Sequence, residues 1–399
     1  MPDIPSQPAP PTPLALYAVT APGLEALTAA ELAGLGLVPT GTETGGVSFE
    51  GSLLDVARTN LWLRTASRVL ARVGSFHARA LGELERKAAT VPWQAWLPPG
   101  ILVRLRVSCR KSRLYHQKAV AERIGRVLEA RGWVVAGKGG VDEADGADEQ
   151  DEGGVARPEA QLLVVRIFRD ECTISLDSSG ELLHRRGYRL ASGKAPLRET
   201  LAAALLLASG WDGTTPLVDP FAGSGTIPIE GALLVRRIPP GRHRAFGFQQ
   251  WPSWDPIRWQ ALLAAADSGS LARAPAPIIG ADRDAGAVTA AGANATRAGV
   301  AEDLELRRSA LSTLAVPPGP GALVSNPPYG VRLSEQKDLR DLYARLGQVA
   351  RRLLPRWRIT LLVPAARLEQ HTGLSWREHF RSRNGGLDVR AVSAEVPGP

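Results

Sequence analysis

The 399-residue sequence predicts an α/β protein: the C-terminal half forms a doubly wound, mostly parallel sheet, and smaller α+β units precede it. Three observations carry that expectation. Beyond about residue 184, short apolar runs alternate with helical stretches, the pattern of consecutive β–α units. Three of those runs end in acid- or Asn-bearing turns, and ligands of open α/β sheets collect at the carboxyl ends of strands. Before that point strands and helices follow one another more tightly, and an acidic, Gly-rich stretch interrupts them.

Residues 1–13 are Pro-rich and read as a disordered tail. Leu14–Val19 alternates like a strand and leads into a helix over Gly23–Leu35, with Leu24, Leu27 and Leu32 as its apolar positions. A Gly45-Gly46 turn introduces a strand at Val47–Phe49, and a helix over Ser52–Asn60 follows. Next come a strand at Ala66–Val73, a helix at Leu81–Ala89 and a strand at Ile101–Val107. The basic run Ser108–Lys118 opens a helix reaching about Ala130. Residues 137–160 carry eight acids against Lys138 and Arg157, and nothing in that composition calls for a packed element. Strands at Leu162–Phe168 and Cys172–Leu176 close this half.

A helix over Leu197–Ala208 precedes the short strand Pro216–Asp219, and a helical run occupies Ile227–Val235. Further strands read at Ala276–Gly280, Leu304–Arg307, Ala322–Ser325 and Arg358–Val363, most of them separated by helices. Residues 337–354 place Leu339, Leu342, Tyr343, Leu346, Val349 and Leu353 at helical spacing. The stretch 236–275 is an insertion rich in aromatics, and Phe246, Phe248, Trp251, Trp254 and Trp259 suit a core better than a stacking platform.

The net charge is +8, yet residues 137–160 alone hold −6, which leaves +14 on the rest. Such a body attracts polyanions by releasing their counterions. The two cysteines, Cys109 and Cys172, sit far apart with no Cys/His cluster, which disfavours a disulfide scaffold or a structural metal and fits a reducing compartment. The N-terminus lacks the basic and apolar regions of a signal peptide, and no apolar run is long enough to span a bilayer. The expectation is a soluble, cytoplasmic, metal-free monomer.

Three motifs carry chemistry. Asp219-Pro-Phe-Ala-Gly-Ser-Gly-Thr226 stands between a strand and a helix. Gly223 and Gly225 let backbone approach a ligand closely, and the loop has neither the Lys of a P-loop nor a third Gly at the dinucleotide spacing. A nucleoside fits it better than a triphosphate, and Asp219 suits an amino group; an ordinary strand–turn–helix has the same form. Gly280-Ala-Asp282-Arg283-Asp284 follows the next strand, where an acid either grips ribose hydroxyls or caps the helix before Ala285. Asn326-Pro327-Pro328-Tyr329-Gly330 is the most specific. The Asn326 side-chain oxygen and the Pro327 carbonyl offer two acceptors for the N–H groups of a planar amine, the prolines contribute no donors, and Tyr329 can stack on a flipped base. Neither cysteine lies near these loops, so a covalent cysteine adduct is disfavoured.

In this order the motifs resemble the class I methyltransferase fold of the amino-methylating branch. With His184-Arg-Arg-Gly-Tyr-Arg189, Ala195-Pro-Leu-Arg-Glu199, Ala21-Pro-Gly-Leu-Glu25, Leu63-Arg-Thr-Ala66 and Ser112–His116, the chain is similar to the THUMP-domain RNA methyltransferases that make N2-methylguanosine in 23S rRNA and tRNA. The resemblance implies a ferredoxin-like domain over 14–63, an RNA-gripping THUMP domain over 64–182 and a Rossmann-like methyltransferase domain over 183–399. It implies contacts to S-adenosylmethionine (SAM) from Asp219, Phe221, Ala222, Gly223, Ser224, Gly225, Asp282, Arg283, Ser309, Ala310 and Asn326, and a target amine held by Asn326 to Tyr329. Ser309 stands where the family has an acid that reads the adenine amine, so it forfeits charge assistance. Arg110, Lys111, Arg113, Lys118, Arg185, Arg186 and Arg189 form the expected RNA-facing set, although a solvated basic face has the same composition. The substrate implied is guanine N2, with 23S rRNA ahead of tRNA. N6-adenine methylation and a non-catalytic RNA-binding role in ribosome assembly are the alternatives.

Overall fold

The computed structural model describes residues 13–136, 160–189, 197–329 and 336–398. The expected tail and acidic insertion, Ala195-Pro196 and Gly330 lie outside the described residues, apart from Pro13 and Ala160 at the edges of the first two. The N-terminal half is built from β1 (Leu14–Thr20), α1 (Glu25–Gly34), β2 (Pro39–Glu43), β3 (Gly46–Gly51), α2 (Leu53–Trp62), β4 (Ala66–His77), α3 (Leu81–Ala88), β5 (Leu102–Arg110), α4 (Gln117–Glu129), β6 (Val134–Ala136), β7 (Ala160–Phe168) and β8 (Glu171–Asp177). The strands form one sheet in the order β2-β3-β1-β4-β8-β7-β5-β6. The period-2 reading of β1 holds, since Leu14, Leu16 and Ala18 are buried. Helix α2 starts where Ser52 and Asp55 form a reciprocal capping box. Because β1 pairs with β3 on one side and β4 on the other, the sheet runs without a break through residue 63.

The C-terminal half contains α5 (Glu199–Ser209), β9 (Leu217–Asp219), α6 (Thr226–Val235), α7 (Pro256–Gly269), β10 (Ile278–Asp282), α8 (Ala285–Arg297), β11 (Leu304–Arg308), β12 (Ala322–Ser325), α9 (Gln336–Leu353), β13 (Arg358–Pro364), β14 (Arg377–Asn384) and β15 (Leu387–Glu395). Their sheet has the order β11-β10-β9-β12-β13-β15-β14. Strands β9 to β13 are parallel, and β15 pairs antiparallel with both β13 and β14. Strand order reverses between β9 and β12, which puts the topological switch point at the ends of those two strands.

The two halves are packed into each other. Phe246, Phe248, Trp251, Trp254 and Trp259 are buried in the core of the N-terminal sheet, as their composition suggested. Trp251 meets Trp96 edge-on at 5.2 Å and donates its indole N–H to Gln161 Oε1 at 3.0 Å. Arg64, 5% exposed, donates to the Leu233 carbonyl in the last turn of α6 and to the Ile238 carbonyl just beyond it, so a residue of the first half caps a helix of the second. No helix among the described residues is long and apolar enough to cross a membrane, and no group of three or more His, Cys, Asp or Glu there is arranged to hold a metal ion.

Candidate active site

The three motifs converge at the carboxyl ends of β9, β10 and β12. Asp219 closes β9 and is 1% exposed. Its Oδ1 accepts the Phe221 amide at 3.1 Å and the Ser325 hydroxyl at 2.5 Å, so the first motif is tied directly to the residue before Asn326. Burial pushes the Asp219 carboxyl up to about 7, the Ser325 and Phe221 hydrogen bonds pull it down, and the neighbouring Asp282 adds to the rise. An acid held near neutrality in this way is poised for a cationic partner.

The loop after Asp219 is braced from both sides. Asp282 Oδ2 accepts the Gly223 amide at 3.0 Å while its Oδ1 accepts the Asp284 amide at 3.0 Å. The Ala222 amide bonds the Ala281 carbonyl at 2.9 Å, and the Ser224 carbonyl accepts Asn294 Nδ2 at 2.9 Å. Gly223 has φ +52° with nothing within 4 Å of where a Cβ would stand, which leaves open space for a ligand against bare backbone. Gly225, at φ +87°, has the opposite reason: a Cβ there would meet Ala291 at 2.9 Å and push α6 off α8. Of the two roles open to Asp282, the helix cap falls to Asp284, whose Oδ1 accepts the Gly286 and Ala287 amides at the start of α8; Asp282 instead braces this loop. Phe221 is half-buried and Arg283 exposed beside them. The Ser309 amide bonds the Asp282 carbonyl at 2.9 Å, bringing Ser309 and the exposed Ala310 to the same rim.

At the end of β12, Pro327 is buried, Pro328 exposed, and Asn326 and Tyr329 half-buried. The Asn326 Oδ1 atom is buried and has no hydrogen-bond partner. Such an orphan acceptor costs on the order of 1–3 kcal/mol and is retained where a ligand completes it. Asn384, at the end of β14, donates from Nδ2 to the Tyr329 hydroxyl at 2.7 Å. Burial raises the Tyr329 hydroxyl above its ordinary value, against the pull of the Asn384 and Asn326 side chains. These residues fit the cofactor the sequence implies: a buried acid for an ammonium, an open backbone face for a nucleoside, an acid at the next strand end and a free acceptor beyond them. An open cavity of about 520 Å³ at the amino ends of β12 and β13, lined by Trp211, Arg356 and Glu395 among others, is remote from all of these residues.

The basic set divides. Arg110, Lys111, Arg113 and Lys118 are exposed around the turn between β5 and α4, together with Tyr115 at 67% exposure. Arg185 is half-buried beside Glu181 at 3.7 Å. Arg186 and Arg189 do not face a polyanion. Arg186 is 4% exposed, and its two Nη atoms donate to the Leu183 and Arg64 carbonyls, both at 2.6 Å. Arg189 donates to the Leu197 carbonyl at 2.9 Å and Thr226 Oγ1 at 2.7 Å and pairs with Glu199 at 3.3 Å. Sequence reasoning also missed Ser325, Asn294 and Asn384. Ser325 adjoins the Asn-Pro-Pro-Tyr turn and was open to suspicion, but no local pattern marked Asn294 or Asn384.

Comparison with known proteins gives a consistent picture. Residues 186–393 match the family described as RMKL-like, methyltransferase domain, and residues 15–70 match the RlmL ferredoxin-like domain. The chain is 35% identical, over 96% of its length, to the ribosomal RNA large subunit methyltransferase K/L of Syntrophotalea carbinolica, but spans only 54% of that protein. It is 32% identical over 95% of its length to slr0064 of Synechocystis sp., assigned as an RNA methyltransferase, and covers 96% of it. Among solved structures, SMU.472, assigned as a methyltransferase and complexed with S-adenosylhomocysteine (SAH), superposes with a TM-score of 0.81 at 29% identity, covering 97% of this chain and 98% of the other.

Proposed function

The chain belongs to the RMKL-like methyltransferase family and its cofactor is SAM; on that premise we propose that it methylates RNA at the exocyclic N2 amine of a guanine, in 23S rRNA ahead of tRNA, as a metal-independent cytoplasmic monomer. The observation that carries the reading is the buried, unpartnered Asn326 Oδ1 at the end of β12, one residue from Ser325 and its bond to Asp219. An aryl amine is a weak nucleophile because its lone pair is delocalised into the ring. Asn326 Oδ1 and the Pro327 carbonyl accept its two N–H groups and favour a pyramidal nitrogen. With no N–H on Pro327 or Pro328, the backbone of that dipeptide presents acceptors only. Tyr329 stacks on the flipped base, and Asn384 fixes its ring through the hydroxyl.

SAM supplies an electrophilic methyl group on a sulfonium. Asp219 binds its ammonium, the bare backbone at Gly223 packs against it, and Asp282 and Ser309 border its nucleoside. Water exclusion and positioning account for most of the rate. Residues 64–182 act as the RNA-gripping THUMP unit, with Arg110, Lys111, Arg113 and Lys118 as its phosphate contacts.

Nucleoside mass spectrometry on rRNA and tRNA from cells lacking the gene, beside the parent strain, tests the reading. N2-methylguanosine should disappear from 23S rRNA, return with the wild-type gene and stay absent with Asn326→Ala. Its loss from tRNA instead would move the substrate, and loss of N6-methyladenosine would move the base. If neither RNA changed and the purified protein bound RNA but not SAM, the non-catalytic alternative would replace this one.

A further inference from the structure

Between β9 and α6 the backbone turns over Ala222 to Gly225, and its peptide planes are not held equally. The plane joining Ala222 to Gly223 is fixed at both ends: the Ala222 carbonyl accepts the Gly225 amide at 2.8 Å, and the Gly223 amide donates to Asp282 Oδ2 at 3.0 Å. The plane joining Ser224 to Gly225 is fixed likewise, its amide by that same Ala222 carbonyl and its carbonyl by Asn294 Nδ2 at 2.9 Å. The plane between them differs: among the described residues, neither the Gly223 carbonyl nor the Ser224 amide has a hydrogen-bond partner. It adjoins the open space at Gly223, so it is the backbone that the loop leaves for a ligand.

Asn294 lies late in α8, is 1% exposed, and its amide has only one orientation that suits both neighbours. The Ser224 carbonyl can only accept, and the Arg297 guanidinium can only donate. Arg297 Nη2 bonds Asn294 Oδ1, and its Nε is itself tied to the Tyr188 carbonyl at 2.7 Å, so Nδ2 must face Ser224. The need for that bond follows from Gly225. Close packing against Ala291 requires glycine there, and glycine accepts either sign of φ, so nothing local stops the plane ahead of it from turning over. We propose that Asn294 is a positioning residue for cofactor binding: from α8 it holds the Ser224–Gly225 plane, so that the neighbouring Gly223–Ser224 backbone is set before SAM arrives. A loop that held the binding form only a tenth of the time would bind about ten-fold more weakly. The role rests on SAM lying against this loop and not on which base is methylated.

Calorimetric titration of the full chain with SAH at pH 8 is the test, beside transfer from tritiated SAM to total RNA from cells lacking the gene. Asn294→Ala removes the donor, and SAH affinity should fall about ten-fold, the weight of one hydrogen bond. The KM for SAM should rise by a similar factor while kcat at saturating SAM stays within about two-fold, because only binding common to ground and transition states is lost. Asn294→Asp separates this role from packing. It keeps the side chain's shape and its acceptor for Arg297, but it turns a carboxylate oxygen on the Ser224 carbonyl. It should bind SAH about three-fold more weakly still than Asn294→Ala, although it fills the space that alanine empties. A cooperative melt and unchanged binding to total RNA mark an intact fold in both variants. Wild-type SAH affinity in Asn294→Ala, tighter SAH binding by Asn294→Asp than by Asn294→Ala, or a loss carried by kcat with KM unmoved would each overturn the proposal. A wild-type chain that bound no SAH would instead overturn the placement of the cofactor beneath it.

Discussion

Lowering the pH should weaken cofactor binding through Asp219, by an amount the site itself sets. The Asp219 carboxyl is 1% exposed and pushed up to about 7 by burial. The cofactor's α-amino group has an ordinary pKa of roughly 7.8. If the bound form is carboxylate against ammonium, affinity follows the product of the two ionised fractions. That product peaks near about pH 7.4, falls about six-fold by pH 6 and about fifty-fold by pH 5 as the acid takes up its proton. Calorimetric titration with SAH across pH 5 to 8.5 measures it, and buffers of different ionisation enthalpy count the proton that binding displaces. Asp219→Asn should bind weakly at every pH and lose the acid limb.

The same group supplies an independent check through stability. A carboxyl whose folded pKa is raised stabilises the fold fully below its unfolded value, about 3.9, and that stability is lost as the pH rises through about 7. The lost stability has an upper bound of roughly 4 kcal/mol, at about 1.36 kcal/mol for each pH unit between those two values. Asn at 219 retains one oxygen for both Phe221 N–H and the Ser325 hydroxyl, which already share Oδ1. The ligand-free Asn variant should therefore melt higher than wild type at pH 8 and alongside it at pH 4. An acid limb that survives in Asp219→Asn, or wild-type affinity flat from pH 7.4 to 6, would refute the ion-pair role.

Trp251→Ala should cost about 3–5 kcal/mol, because it removes a large buried ring from a shared core; denaturant unfolding followed by tryptophan fluorescence and by SAH binding should shift together, and separate transitions would mean the halves unfold independently. Arg113→Glu with Lys118→Glu should weaken binding to total RNA and lower the salt slope by about one for each phosphate no longer neutralised. Arg186→Gln should leave that slope unchanged and lower the melting temperature, because its guanidinium bonds internal carbonyls.

Where local pattern and tertiary environment agree, the elements were legible. Strand β12 spans the four residues its apolar run indicated, and β1, β5 and β13 differ from their sequence bounds by only a few residues. The hairpin β14–β15 was not. Arg377–Asn384 reads Arg-Glu-His-Phe-Arg-Ser-Arg-Asn, polar or charged at every position but Phe380, because it is an edge strand with one pairing partner and needs little apolar surface. Missing that hairpin hid Asn384. The Asn-Pro-Pro-Tyr turn was legible because its chemistry is local, four consecutive residues at one strand end. The donor that holds Tyr329, Asn384, comes from another strand, and no spacing rule connects positions 329 and 384.

Charge was the least legible quantity, for a definite reason. A run such as His184-Arg-Arg-Gly-Tyr-Arg189 has the composition of a polyanion grip, yet it crosses the junction between two packed halves. A junction strands carbonyls: helix α6 ends there, and so do the loops around 181–185. Arginine answers several at once, since its planar fork carries five donors. Arg244 bonds the carbonyls of Glu181, Leu182 and Arg185, and Arg64 and Arg186 act alike. Each such arginine counts toward the net charge while its guanidinium is committed inside the protein. The +14 outside the acidic segment therefore overstates what RNA can reach. The exposed turn between β5 and α4 becomes the stronger candidate for phosphate contact, because Arg113 and Lys118 sit there at the surface rather than in the seam.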